Sequence, residues 1–475
     1  MRKNILLYFF GIALIQSCNS NTQLKEEQAS APVLLSSQNQ KASCAYLTSD
    51  EKNDPVISWC ETDSAGKKYF FISYFNKVSQ RLGDAIPVPV EQNASIHEEG
   101  MPKVAIKGDG SIIAVWETSS PTKENEWAGF VHYIQSFDKG KTWTQPLCVH
   151  ADTSAGGSRS FASIARLSNG EVGVCWLDAS TDYKKNGRPV KFASTEGNKG
   201  FRHEVLIEPV ACECCRTAIS SDGNGNISAV FRAIINDSIR DISISTSADN
   251  GKTFGKAASF SNDNWVINGC PHNGPCVANN NGISYTTWYT GGARKGIYYE
   301  ELNKENKAII KRQVSPDGKN IQLCVLDDGA RMIAYNETIH EADSFYSRII
   351  ISKVEGDKIF SKNITSEKAH AFYPVVCSYE KDKIIVAWSE GGKVFYRLIS
   401  ADAVNNAIAL PSNPHDYRIA AATGIKLTNH TDPVCGMHVD SDVQDTIHID
   451  NKIIGFCSKY CKEKFLQSPG VYEVE

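Results

Sequence analysis

The sequence predicts an all-β fold, a ring of small antiparallel sheets stacked radially around a central channel as a β-propeller, followed by a small C-terminal α+β module. Three observations predict it. An aromatic residue closes a short apolar strand seven times between Cys44 and Ser400, at Trp59, Trp116, Trp176, Phe231, Trp288, Tyr335 and Trp388, about 55 residues apart. Around each marker, apolar and polar residues alternate with a period of two, the pattern of strands. After Ile399 the repeat stops and the composition changes. One such sheet cannot bury both of its faces, so the copies must stack on one another.

Within a unit the elements follow in order. A short first strand ends in a glycine turn, at Gly110, Gly170, Gly225, Gly282 and Gly329, where positive φ joins it to the marker strand as a hairpin. A third strand follows, as in FVHYIQS, DISISTS, GIYYEEL and RIIISKV. Seven units predict seven blades, or six if the terminal strands close one ring between them.

Two turns after a third strand share the spacing S-x-D-x-G-x-T-aromatic: Ser136, Asp138, Gly140, Thr142, Trp143 and Ser247, Asp249, Gly251, Thr253, Phe254. The aspartate accepts N–H bonds within its own turn, the glycine supplies the dihedral and the aromatic folds back between sheets. Ser194 to Phe201 is a weaker echo. These turns resemble the Asp-box, or BNR repeat, of the sialidase-like propellers, and the likeness covers residues 43–402. It implies that the two aspartates are structural. It also implies a channel mouth where arginines hold a substrate carboxylate and a tyrosine attacks. The arginine motif that opens such domains has no counterpart near Cys44, and Arg216, Arg294 and Tyr373 are the candidates left to face a pocket. Exo-acting glycoside hydrolysis is therefore the alternative reading, and non-catalytic glycan or protein binding a further one.

The chain has 475 residues with 50 basic and 54 acidic side chains, a formal charge of -4. No positive surplus exists to neutralise a phosphate backbone, which excludes nucleic acid as a partner. Fifteen cysteines are too sparse for a disulfide scaffold, so their placement decides their meaning.

Residues that precede first strands should gather at one rim of the channel. These are His97; Arg159 and Ser160; Cys212, Cys214, Cys215 and Arg216; Cys270, His272 and Cys276; and His370. Thiolate and imidazole suit zinc or copper. Disulfides joining Cys212 or Cys214 to Cys270 or Cys276 compete with that reading, as do isolated buried thiols. An extended C-x-C would point Cys212 and Cys214 to one side and Cys215 away. Cys44, Cys60, Cys148, Cys175, Cys324 and Cys377 read as small apolar packing.

At the N-terminus, Arg2 and Lys3 precede an apolar run too short to span a bilayer, then Ser17 and Cys18. This resembles a bacterial lipoprotein signal, which implies cleavage after residue 17, lipidation of Cys18 and an extracytoplasmic, membrane-anchored protein. Residues 18–42 read as a polar tether. At the other end, residues 403–428 read as a connector and 429–475 as a separate module. Its sequence runs D-P-V-C-G-M, two alternating stretches, then F-C-S-K-Y-C-K-E-K-F with a helix to about Gln467. Cys435, Cys457 and Cys461 are the expected ligands of one ion, since so short a segment needs a staple. The pattern resembles the YHS domain family and implies transition-metal binding, with Asp432, Met437, His438 or His448 as a fourth contact and a thioether favouring copper. The combined expectation is a lipoprotein that handles a transition metal, copper favoured and zinc the alternative. Its expected partners are the ion, the membrane and a glycan or envelope protein.

Overall fold

The computed structural model describes residues 31–179, 187–267, 269, 271–341, 344–356, 358–407, 427–434, 439, 445–449, 452–456 and 459–467. Within them the chain builds a seven-bladed β-propeller of antiparallel sheets. The innermost strands are Lys41–Ser49, Lys103–Ile106, Ser160–Arg166, Ala218–Ser221, Cys276–Asn280, Gly318–Val325 and Ala371–Glu380, one per blade in chain order. Each packs on the next, and the last packs on the first, so the ring is closed.

Closure uses the N-terminus. Val33–Leu34 pairs with Lys393–Ser400, Val33 opposite Tyr396, and completes blade 7 as its outer strand. It adds to one blade without merging two units, so seven units give seven blades. The stretch expected to be a tether as far as residue 42 thus belongs in part to the propeller. Beyond the expected end at residue 402, Asn406–Ala407 pairs with the outer strand of blade 6.

All seven marker aromatics lie on second strands and are at most 2% exposed. They fill the wedges between neighbouring blades. A buried indole N–H needs an acceptor, and four find a carboxylate: Trp59 on Glu61, Trp116 on Glu91, Trp288 on Asp263 and Trp388 on Glu390, at 2.6 to 2.9 Å.

The two Asp-box turns form as their spacing predicts. Asp138 accepts from Thr142 N at 2.8 Å and Thr142 Oγ1 at 2.6 Å, while Ser136 Oγ accepts from Gly140 N at 2.7 Å. Asp249 repeats this with Thr253 at 3.0 and 2.7 Å, and Ser247 with Gly251 at 2.9 Å. Gly251 sits at φ +83°, where a Cβ would meet the Phe192 ring at 2.2 Å, and Phe254 packs on that ring at 5.2 Å. The turn therefore locks blade 4 onto blade 3. Partial burial works against ionisation of Asp249, but the Thr253 and Ser247 bonds outweigh it and bring its carboxyl down to about 2. Asp249→Ala is expected to cost about 1 to 2 kcal/mol at neutral pH by denaturant melts. Because the folded carboxyl lies below its unfolded value of 3.8, that contribution is present above pH 4 and disappears as pH falls through 2. A variant difference that persists at pH 2 would refute the assignment.

The C-terminal unit is a hairpin, Asp445–Ile449 with Lys452–Phe456, and the helix Lys459–Gln467. Ile454, Phe456, Cys461 and Phe465 form its core, with Phe456 and Phe465 rings 5.2 Å apart. Asn429 ties the incoming chain to the hairpin, accepting from Gly455 N and donating to its carbonyl, each at 2.8 Å.

Candidate metal centre at the propeller mouth

Blade 3 ends at Ala211, and the chain must turn inward to begin blade 4 at Ala218. That turn is Cys212–Cys215. Cys212 N bonds Arg232 O at 2.8 Å at one end, and Thr217 N bonds Phe161 O at 3.2 Å at the other. Between them Glu213 accepts Gly187 N at 2.7 Å, and its carbonyl accepts Arg188 Nη1 at 3.1 Å. Arg188 also donates to Ser160 Oγ at 2.9 Å, so a buried guanidinium staples the turn to blade 3.

The turn brings three thiols together. The sulphurs of Cys212, Cys214 and Cys215 all lie within 4.8 Å of one another, and all three residues are buried. This corrects the expectation that Cys215 points away, which assumed an extended segment; the tight turn curls it back onto the other two. Cys212 and Cys214 sulphurs are 4.0 Å apart, roughly twice the ~2.05 Å of a disulfide. Two sulphurs at that separation can both lie about 2.3 Å, a metal–thiolate bond length, from one ion.

The electrostatics favour thiolate. Burial alone would hold Cys215 protonated. Hydrogen bonds from Cys212 and Cys214, the Arg232 guanidinium and the Asn273 N–H outweigh it and hold the thiol well below its ordinary value. Arg232 is itself fixed by bonds to Arg240 O, Asn273 O and Tyr289 O at 2.7 to 3.0 Å.

The other rim residues divide. Arg216 pairs with Glu99 at 2.6 Å, and Glu99 also accepts Gly274 N at 3.2 Å, tying blades 2, 4 and 5 together. His97 stands 3.4 Å from Glu117 and edge-on to Phe161 at 5.8 Å. Arg159 does not face the mouth group but is held by Asp152 and Asp178 at 2.7 and 3.1 Å. His370 is exposed and packs on Phe345 and Tyr346. Cys276 does not join the three thiols: its sulphur reaches Gln322 Oε1 at 3.5 Å, and it is in no disulfide. His272 is half-buried at φ +45°, beside Asn273. Cys270 lies outside the described residues.

Sequence reasoning missed Glu98 and Glu99, which sit in a short 3₁₀ turn before blade 2. Glu98 accepts Cys44 N at 3.1 Å and Ser389 Oγ at 2.8 Å, and burial raises its carboxyl above the ordinary value. It also missed a device repeated at the starts of first strands. Bulges at Cys44, Phe161, Asn320 and Tyr373 hold these residues at φ +51° to +60°. Left-handed non-glycine residues in bulges re-aim side chains and cluster near functional sites.

A family model for the BNR repeat-like domain matches residues 85–400. The chain belongs to the BNR repeat-like domain family. Among solved structures, one of unknown function from Dyadobacter fermentans is 12% identical, covering 78% of this chain and 98% of that one at a TM-score of 0.46. NanB sialidase from Streptococcus pneumoniae is 9% identical over 79% and 71% of the two chains, at 0.47. An α-L-arabinanase from Penicillium chrysogenum is 14% identical over 64% and 93%, at 0.40. No curated protein matches the chain.

In this BNR repeat-like propeller the candidate sialidase residues are only partly assembled. Half-buried Tyr373 shares the mouth with Glu99, Glu98 and Arg216, and burial first, then those carboxylates, push its phenol up. Arg294 lies on an exposed turn of blade 5. Of the buried arginines in this region, Arg159 is held by two aspartates, Arg188 and Arg232 mainly by carbonyls and Arg216 by Glu99, while Arg240, whose carbonyl accepts from Arg232, has no hydrogen-bond partner for its Nε and Nη1.

The C-terminal unit reaches the same end. Lys464 pairs with Glu126 of blade 2 at 2.8 Å, and Asp445 is among the charges acting on Tyr373. Of its expected ligands, Cys461 is 3% exposed within the apolar core, and Asp432 is buried and accepts Val434 N at 2.8 Å. His448 is exposed on the hairpin. Cys435, Met437, His438 and Cys457 lie outside the described residues, as does Cys18.

Proposed function

We propose that the protein handles a soft transition-metal ion outside the cytoplasm, binding it through Cys212, Cys214 and Cys215 at the propeller mouth. The observation that carries this reading is the convergence of three buried sulphurs within 4.8 Å, one of them acid-shifted. Three thiolates without a fourth donor suit Cu(I), whereas zinc would require another ligand from the neighbouring loop. The YHS-like motif around Cys435, Cys457 and Cys461 supports the same chemistry, and the lipoprotein-like signal at Cys18 supports a membrane-anchored, extracytoplasmic setting. Metal analysis of the reduced soluble form tests the reading. About one equivalent of copper or zinc beyond that held by a variant lacking the three mouth thiols is expected, and no difference between the two would overturn it.

Family membership speaks for a second reading, exo-acting glycoside hydrolysis, more directly than for the first. The specific observation favouring it is that Tyr373, Glu98, Glu99 and Arg216 share one mouth. Glu98, raised by burial, would be the proton donor. Because the only arginine of that group is neutralised by Glu99, a neutral glycoside fits the mouth better than an anionic sialoside. Turnover of a fluorogenic arabinoside or sialoside that Tyr373→Phe abolishes would establish this reading, and absence of turnover on both would remove it.

A further inference from the structure

Arg240 lies in the hairpin that joins the second strand of blade 4, Ile227–Arg232, to the third, Ile242–Ser247. Cys212 N bonds Arg232 O at the foot of this hairpin, which puts it on the mouth side of the ring. The backbone of Arg240 is fixed on both sides: its N–H donates to Trp265 O at 2.8 Å, and its carbonyl accepts from Arg232 Nη1 at 2.7 Å. Its side chain is held by nothing. The residue is 8% exposed, its Nε and Nη1 are buried without an acceptor, and it forms no ion pair among the described residues.

The carboxylates of this stretch are committed elsewhere. Asp241 comes next in the chain, where successive side chains of an extended segment point to opposite faces. It accepts Asn264 N at 3.0 Å and Trp265 N at 3.1 Å. Asp263 accepts Trp288 Nε1 at 2.6 Å and stands 3.4 Å from Lys311 Nζ. Arg232 shows the contrast. It is buried as well, but three carbonyls take its N–H groups, the Trp265 ring lies 5.0 Å from it and the Cys215 thiol is the anion it acts on. A guanidinium keeps its proton, so Arg240 cannot become neutral as a buried lysine can. Leaving a buried ion unpaired is strongly destabilising, and native interiors satisfy nearly all of their buried polar groups.

We infer that Arg240 is the binding residue of a site for a small oxyanion, the carboxylate, phosphate or sulfate group of a ligand that enters between blades 4 and 5 on the mouth side. The planar fork of N–H donors matches two oxygens of such a group, which chloride cannot offer. Arg232, bonded to the Arg240 carbonyl and with its own Nε lacking an acceptor, adds a second positive charge to the same neighbourhood. The low exposure of Arg240 limits the bound group to a small one. The site needs neither the metal nor the glycoside proposed for the mouth.

Calorimetric melting of the reduced, metal-free full-length chain tests it, with acetate, phosphate or sulfate replacing chloride at constant ionic strength. At least one of the three is expected to raise the wild-type melting temperature saturably, by several degrees at about a hundred times Kd. A response to acetate alone assigns a carboxylate, one to phosphate or sulfate alone assigns a tetrahedral oxyanion, and one to all three supports the site for either. Arg240→Met keeps the side-chain length and removes the charge, so in chloride it should melt no lower than the wild type and should respond to none of the three. Equal responses in both proteins would be a general salt effect and overturn the site, as would no response in the wild type. Should Arg240→Met fail to fold, Arg240→Lys serves instead. It keeps the charge without the fork, so the half-saturating anion concentration should rise at least about tenfold, and an unchanged one overturns the site.

Discussion

Cys215→Ser is expected to weaken soft-metal binding at the mouth by about a hundredfold or more, beyond the ten- to hundredfold typical of losing a residue that merely supports a ligand. The reason is that Cys215 is the thiol its surroundings have already prepared as an anion, through Cys212, Cys214, Arg232 and Asn273. Serine keeps the size but offers no thiolate. Because the folded turn alone gathers the three sulphurs, the ion binds the native state only, and saturating metal should raise stability by about 2.7 kcal/mol at a hundred times Kd. A chelator should return the wild type to the melting temperature of the variant. Competition titration against a chromophoric Cu(I) ligand measures the first effect and calorimetry the second. Cys175→Ser is the control, a buried thiol outside the cluster whose replacement should leave metal affinity unchanged. Equal affinities for Cys215→Ser and Cys175→Ser would dispose of the mouth site.

What the sequence disclosed followed from how local the chemistry is. The marker aromatics were legible because burying Trp176 or Trp388 is a one-strand decision, written as apolar neighbours at period two. The Asp-box turns were legible because every bond of Asp138 and Asp249 closes within four residues. Ring closure by Val33–Leu34 was not, since two residues in a polar stretch carry no periodic signal and acquire their place only from a partner more than 350 positions away. The mouth was half legible. The C-x-C-C run announced thiols, but whether they diverge or converge depends on a turn stapled by Glu213 and Arg188 to other parts of the fold. Glu98 and Glu99 gave no warning, and although Tyr373 was a candidate its bulge was not legible, because left-handed residues at bulges lack the glycine that would mark them.

Trp288→Ala should be the most damaging single change in the wedge between blades 4 and 5, costing about 3 to 5 kcal/mol for the cavity alone. The side chain is 0% exposed; it meets Phe260 edge-on at 5.4 Å and stacks on Tyr298 at 5.7 Å, with Lys311 Nζ 5.1 Å from its ring. Its indole N–H donates to Asp263 at 2.6 Å, and burial already raises that carboxyl above its ordinary value. Deleting the donor leaves the carboxylate short of a partner, a further cost of about 1 to 3 kcal/mol. Phenylalanine separates the two contributions. Trp288→Phe keeps most of the packing and loses the bond, so it should cost about that second amount. Trp176 is as deeply buried, but its indole nitrogen has no hydrogen-bond acceptor, so Trp176→Phe should cost less than Trp288→Phe despite the same change in volume. Urea unfolding with unchanged m-values is the measurement. Equal losses for the two phenylalanine variants would mean that the carboxylate pairing contributes nothing, and that the wedges are held by aromatic packing alone.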